Sequence, residues 1–154
     1  MQTRTRAIVV LFLITSASCG PNSDGSRLRE VSRLKQAIPI FPSMRPGLSG
    51  DFSRWNLAGS ILNYESPAAY EDVEGFYLRK LATDWVFAGE IPFQEWGRDL
   101  GGRELIFCNR SEPEYSFVVT FRGEKSSGIK YALAVWWKEG GRPGCVPATS
   151  VNTE

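Results

Sequence analysis

The sequence predicts an α+β fold in which an antiparallel sheet of about five to six strands carries one main helix packed on one face, plus a short N-terminal helix. Two observations support this class. Apolar residues recur with helical spacing between residues 66 and 83, and after Asp84 the pattern changes to alternation of period two, broken at glycines. A helix followed by hairpin-joined strands can bury its apolar side against the sheet.

The N-terminal part of this domain is predicted to contain a short helix and two extended segments. Leucine and valine recur at intervals of three within residues 27–36, which favours a helix there. Residues 38–42 are apolar but broken by proline, which suits an edge strand or an extended lead-in better than a central strand. Residues 43–54 are rich in glycine, proline and serine and are predicted to form a loop, and residues 59–65 are predicted to form a strand.

The main helix is predicted to start at Ser66 and Pro67. A serine side chain can cap the unpaired N–H groups of a helix start, and proline is tolerated at the first helical position. We expect the helix to run to about Thr83. One face carries the apolar residues Val73, Phe76, Tyr77 and Leu81.

The rest of the chain is predicted to form hairpin-joined strands, giving the element order α-β-β-α-β-β-β-β. The predicted strands are residues 85–93, 104–109, 115–122 and 131–137. The last two each present one face of large apolar side chains, so both can line the same core. These faces comprise Tyr115, Phe117, Val119 and Phe121, and Tyr131, Leu133, Val135 and Trp137.

The N-terminal residues are arranged as an export signal. Arg4 and Arg6 precede an unbroken apolar run at residues 7–14, and small residues follow up to Cys19. The apolar run is too short for a bilayer core of ~30 Å, which needs about 20 helical residues. We therefore expect this segment to be cleaved or lipid-linked.

The expected organisation has three parts: a signal peptide at residues 1–18, a flexible tether at 19–26 and a single α+β domain at 27–150. The tether is assigned because its residues are polar and include glycine, proline and serine. A chain of this length supports one domain with a sizeable core.

Small residues before Cys19, followed by Gly20, resemble the lipobox of bacterial lipoproteins. In that motif the cysteine becomes the lipidated first residue of the mature chain. Ser16 stands where leucine is usual, so cleavage by the ordinary signal peptidase after Ser18 is the alternative. The resemblance implies an anchor at Cys19 that holds the protein at a membrane.

The chain has three cysteines, an odd number. If lipid occupies Cys19, Cys108 and Cys145 remain as a pair. An oxidising compartment favours a disulfide between them. The alternative is two free buried thiols.

A second resemblance involves three short pieces: the apolar segment 38–42, the Phe76-Tyr77 pair in the helix and Trp85 after it. Together they resemble a broad class of small bacterial lipoproteins and exported proteins. Asp84 stands where that class has glycine. The resemblance implies a small α+β domain in the cell envelope, and it transfers no catalytic residue.

Charge and composition exclude several functions. Basic and acidic residues number 18 and 17 and are interspersed, so no nucleic-acid partner is expected. The chain contains no histidine, which excludes Ser-His-Asp and Cys-His catalysis and histidine-based zinc sites. We expect no metal, no cofactor and no enzymatic activity.

The five tryptophans are the best candidates for a binding surface. Trp136 and Trp137 are adjacent, so in a strand they point to opposite faces and one of them lies outside the main core. An exposed tryptophan can stack on a sugar ring or anchor a protein partner. We predict that Trp136 or Trp96 is the binding residue. The alternative is that the second face is covered by the N-terminal helix or by the disulfide-pinned tail.

These observations together predict a lipid-anchored protein of the cell envelope, on the periplasmic side in a Gram-negative cell, that binds an envelope protein or glycan. The first alternative is a carbohydrate- or peptidoglycan-binding module. The second is a hydrolase that uses paired carboxylates. The candidate acids for that chemistry are Glu112 and Glu114, and the cluster Glu71, Asp72 and Glu74.

Overall fold

The computed structural model describes residues 23–125 and 130–145, which form two α-helices and one six-stranded antiparallel sheet. The α+β class and the six strands are therefore confirmed. The strands lie in the order β1-β2-β6-β5-β4-β3. The elements are α1 (Ser23–Ala37), β1 (Arg45–Arg54), β2 (Leu57–Glu65), α2 (Tyr70–Lys80), β3 (Trp85–Glu95), β4 (Arg98–Asn109), β5 (Tyr115–Phe121) and β6 (Tyr131–Lys138).

The core is built on the central strands β5 and β6. All eight residues that the alternation predicted on one face of this pair are buried there. The ring of Phe117 lies with its centroid 5.4 Å from that of Tyr77 on α2 and 6.0 Å from that of Trp85. Burial raises the pKa of Tyr77 well above its ordinary value, because the interior disfavours the phenolate.

Trp137 is held from two sides on the core face. The guanidinium of Arg27 on α1 lies 4.5 Å from the centroid of its ring, a cation–π contact. Its indole Nε1 donates a hydrogen bond of 3.2 Å to Oε2 of Glu114. The side chain is 6% exposed. Its orientation is therefore fixed by two polar contacts as well as by packing.

The N-terminal helix differs from its predicted extent. Expected as a short helix at residues 27–36, α1 spans Ser23–Ala37 and is the longer of the two helices. Residues 23–26, expected to belong to the tether, form its first turn, while residues 1–22, including the expected signal peptide and Cys19, lie outside the described residues. Neither helix in the described part of the chain combines the length and apolar character required to cross a bilayer.

The first strand lies where a loop was expected. Residues 43–54 were predicted as a loop, but β1 occupies most of them and pairs with β2, with a register irregularity between Pro46 and Ser49. The apolar segment 38–42 forms no strand. The loop prediction for residues 43–54 was wrong because an edge strand pairs through its backbone on one side only, so its side chains need not be apolar. Its side chains are almost all exposed and show no apolar alternation.

The second helix begins later than the Ser-Pro pair indicated. The helix starts at Tyr70, with Ala69 as N-cap in an extended conformation, and ends at Lys80. Ser66 Oγ instead accepts a hydrogen bond of 3.2 Å from the amide of Ala68 and lies 2.7 Å from Oγ of Ser43. The serine thus caps a turn that precedes the helix, which gives a similar sequence signal.

Candidate ligand-binding site

Trp136 lies on the sheet face opposite the core, as the alternation from Trp137 requires. Strand register places it beside Gly59 on β2 and Ser116 on β5. A methyl group added at Gly59 would lie only 2.2 Å from ring atoms Cε3 and Cζ3 of Trp136. The indole therefore occupies the space that any side chain at residue 59 would need. Trp136 is partly buried.

The chain after β6 folds back over this same face. Gly140 and Gly141 have φ of 72° and 76°, in the left-handed region that glycine adopts without a steric penalty. Cys145 then bonds to Cys108 on β4, with Cα atoms 5.2 Å apart. Cys108 pairs in register with Ser116, so the bridge lies on the Trp136 face. The predicted disulfide is confirmed.

A cavity of about 580 Å³ lies between the folded-back segment and the sheet. We call it the Trp136 cavity. Its volume falls within the range of small-molecule sites, about 300–1,000 Å³. The lining combines apolar side chains, one indole, one hydroxyl and two cations: Leu57, Ile91, Ile106, Pro143, Trp136, Ser116, Lys138 and Arg142.

The two cations of the cavity differ in their ion pairing: Arg142 has a carboxylate partner and Lys138 has none among the described residues. Nη2 of Arg142 lies 3.3 Å from Oε2 of Glu104, and Oγ1 of Thr120 donates a hydrogen bond of 3.1 Å to the other oxygen of that carboxylate. The ammonium of Lys138 forms no ion pair with any residue in the described ranges. The cavity lining therefore carries one positive charge, that of Lys138, which forms no ion pair with a carboxylate of the described residues.

The structure does not bring the two predicted binding tryptophans together. Trp96 occupies the turn between β3 and β4, has φ of 52° and is 90% exposed. Trp96 lies at the end of the β3–β4 hairpin where Glu95 pairs with Arg98. Cys108, which is in register with Ser116 and through it with Trp136, lies at the other end of β4. Trp96 is therefore a separate exposed side chain.

None of the acidic residues considered for hydrolysis lines the Trp136 cavity. Glu114 accepts the indole hydrogen bond of Trp137, and Glu112 is exposed and lines a different cavity, of about 400 Å³. Glu71 and Asp72 lie exposed in the first turn of α2. Among the residues described, no cluster of three or more cysteines and acids could hold a metal ion.

Of the eight lining residues, sequence reasoning singled out only Trp136, and it missed all three polar ones: Ser116, Lys138 and Arg142. Lys138 could have been found, since it lies two residues after Trp136 in the same strand and so shares its face. Ser116 required the register of β5 against β6. Arg142 can be placed in the site only if the chain after β6 is known to fold back over the sheet. The sequence gives only an indirect indication of this, in the adjacent glycines and Cys145.

No protein-family model, no curated protein and no solved structure matches this chain.

Proposed function

We propose that this protein is a lipid-anchored binding module of the cell envelope, held at the membrane through Cys19, that receives part of another envelope component in the Trp136 cavity without catalysing a reaction. The observation that carries the proposal is the cavity itself. It lies on the sheet face that the core does not use, and it combines an indole with polar and charged groups.

The indole of Trp136 supplies the largest expected share of the binding energy. It is partly exposed and lines the cavity together with the aliphatic residues Ile91 and Ile106, so a ligand can remove further apolar surface from water. Tryptophan is among the residues that most often dominate binding energy at interaction sites, with losses of about 2 kcal/mol or more on truncation. Such a loss corresponds to about 30-fold in Kd.

Truncation of Trp136 tests the site. The mature protein is purified from membranes, and its binding to isolated cell-wall sacculi and to solubilised envelope proteins is measured. We expect Trp136→Ala to weaken binding to its target by about 30-fold. Leu48→Ala is the control, because Leu48 is 77% exposed on β1, towards the end of that strand where Arg45 pairs with Glu65, whereas Leu57 of the cavity lies at the opposite end of β2.

Trp96→Ala separates the two predicted tryptophans in the same assay. If the Trp136→Ala protein bound every envelope component as tightly as the unmodified protein, the Trp136 cavity would not be the binding site. A loss seen with Trp96→Ala alone would move the site to the β3–β4 turn.

A carbohydrate- or peptidoglycan-binding role is the second candidate. The observation that favours it is the placement of hydrogen-bonding groups beside an indole in a concave site, namely Ser116, Lys138 and Arg142. Sugar sites pair an aromatic ring with polar groups of this kind because a pyranose has apolar C–H faces and a rim of hydroxyl groups. Sedimentation with insoluble cell wall, lost in Trp136→Ala, would distinguish this role from binding to a protein.

The anchor is tested by the mass of the mature protein. We expect a chain beginning at Cys19 that carries a diacylglyceryl group and lacks two protons because of the Cys108–Cys145 bridge. Cys19→Ser should release the protein from membranes. A mature chain that starts at Cys19 without lipid would instead support cleavage by the ordinary signal peptidase after Ser18.

A further inference from the structure

We propose that the Trp136 cavity binds an acidic saccharide, with the sugar ring against Trp136 and the carboxylate at Lys138 and Arg142. The inference rests on the proposed function, because it names the ligand class of the same site. Three independent features of the cavity lead to it: unbalanced charge, an unpartnered hydroxyl and an indole with apolar neighbours.

The charge of the cavity favours an anion. Lys138 is exposed, and its ammonium contacts no carboxylate in the described ranges. Arg142 contacts Glu104 through Nη2 alone, so other guanidinium N–H groups stay available. Glu104 is also engaged by Thr120. A ligand carboxylate would therefore gain two cationic donors without displacing the existing ion pair.

The hydroxyl of Ser116 favours a ligand with hydroxyl or amide groups. Ser116 is only 2% exposed and lines the cavity, yet its hydroxyl forms no hydrogen bond with any residue that the structure describes. Among the described residues, Nε of Arg122 is the one buried side-chain polar atom without a partner, so the Ser116 hydroxyl still reaches solvent through the cavity and a ligand group there can replace water. A sugar hydroxyl or acetamido group would be such a ligand group.

The indole and its neighbours favour a ring with an apolar side. One side of Trp136 is occupied by the backbone at Gly59, and the side chain also lines the cavity. Ile91 and Ile106 can receive a small apolar substituent such as an acetamido methyl group. The volume of about 580 Å³ is adequate for one or two sugar rings.

Two matched disaccharides test the charge requirement. N-acetylglucosaminyl-N-acetylmuramic acid differs from di-N-acetylchitobiose mainly by a lactyl ether that carries one carboxylate. Calorimetric titration of the lipidated protein in detergent should give about tenfold tighter binding of the acidic disaccharide. This preference should shrink as salt is added, because salt screens exposed charges.

The variants assign the preference to named side chains. Lys138→Gln should remove most of the tenfold preference, because glutamine keeps a hydrogen-bond donor but loses the charge, so the acidic disaccharide should be weakened much more than the neutral one. Lys80→Gln, at the end of α2, is the matched control and should change neither Kd. Ser116→Ala should weaken both disaccharides by about threefold without loss of stability, because the hydroxyl has no described partner to lose.

The outcomes separate this inference from the proposed function. Equal Kd values for the two disaccharides, both lost in Trp136→Ala, would overturn the acidic ligand and leave the binding site in place. The same holds if neither disaccharide binds while another envelope component binds through Trp136. If Trp136→Ala alters no binding at all, the proposed function falls, and this inference falls with it.

Discussion

Replacing Cys108 and Cys145 with serine is expected to lower the free energy of unfolding by about 3–4 kcal/mol and to abolish binding in the Trp136 cavity. The bridge joins residues separated by 37 positions, and a cross-link of that span restricts the unfolded chain strongly. It also ties the segment carrying Arg142 and Pro143 to β4, and these residues line the cavity. One double substitution therefore removes both a stabilising restraint and one wall of the site.

Urea denaturation and ligand titration measure the two effects separately. Dithiothreitol, which reduces the bridge by thiol–disulfide exchange, should reproduce both losses in the unmodified protein and change nothing in the double-serine variant. Cys19→Ser, which leaves the bridge intact, is the matched cysteine control. Full affinity in the folded double-serine variant would show that the segment after β6 does not form the wall of the site.

Gly59→Ala is expected to destabilise the protein by about 1–3 kcal/mol and to weaken ligand binding, through a single methyl group. The new Cβ would lie 2.2 Å from the ring of Trp136, so the indole must move. Since Trp136 lines the cavity, its displacement would change the surface that the proposed ligand contacts. The loss of stability and the weaker binding would both arise from the displaced indole, so the two can be tested together.

A double-mutant cycle identifies that origin. In a Trp136→Ala background the added methyl meets no ring, so Gly59→Ala should cost much less there, and the difference is the coupling energy. Gly50→Ala on β1 is the matched control, because a Cβ at that glycine has nothing within 4 Å. Equal costs of Gly59→Ala in the two backgrounds would mean that its effect arises from the strand itself.

The parts of the fold that the sequence predicts well are those where burial dictates side-chain type. β5 and β6 are central strands whose core faces must be large and apolar, so alternation located them within one residue at each end. β1 has no such requirement. It lies at the edge, its side chains are almost all exposed, and only its pairing with β2 makes it a strand. Its composition therefore resembled that of a loop.

The candidate site likewise has parts that the sequence predicts and parts that it does not. Trp136 was predicted from local alternation beside Trp137, and the Cys108–Cys145 bridge from the number of cysteines. Arg142 and its ion pair with Glu104 join residues 38 positions apart and depend on the reversal of the chain at two left-handed glycines. Composition and periodicity carry no information on such a contact.

The double contact of Trp137 has a consequence for its neighbour. Arg27 and Glu114 hold that indole from the core side, and adjacent residues of a strand share one backbone, so the peptide that carries Trp136 is immobilised as well. If Trp136 binds a ligand as proposed, that ligand would meet a backbone whose conformational entropy was already lost when the chain folded. The contacts of the core would thus preorganise the backbone of the proposed site on the opposite face, and a ligand there would have less entropy of ordering to overcome.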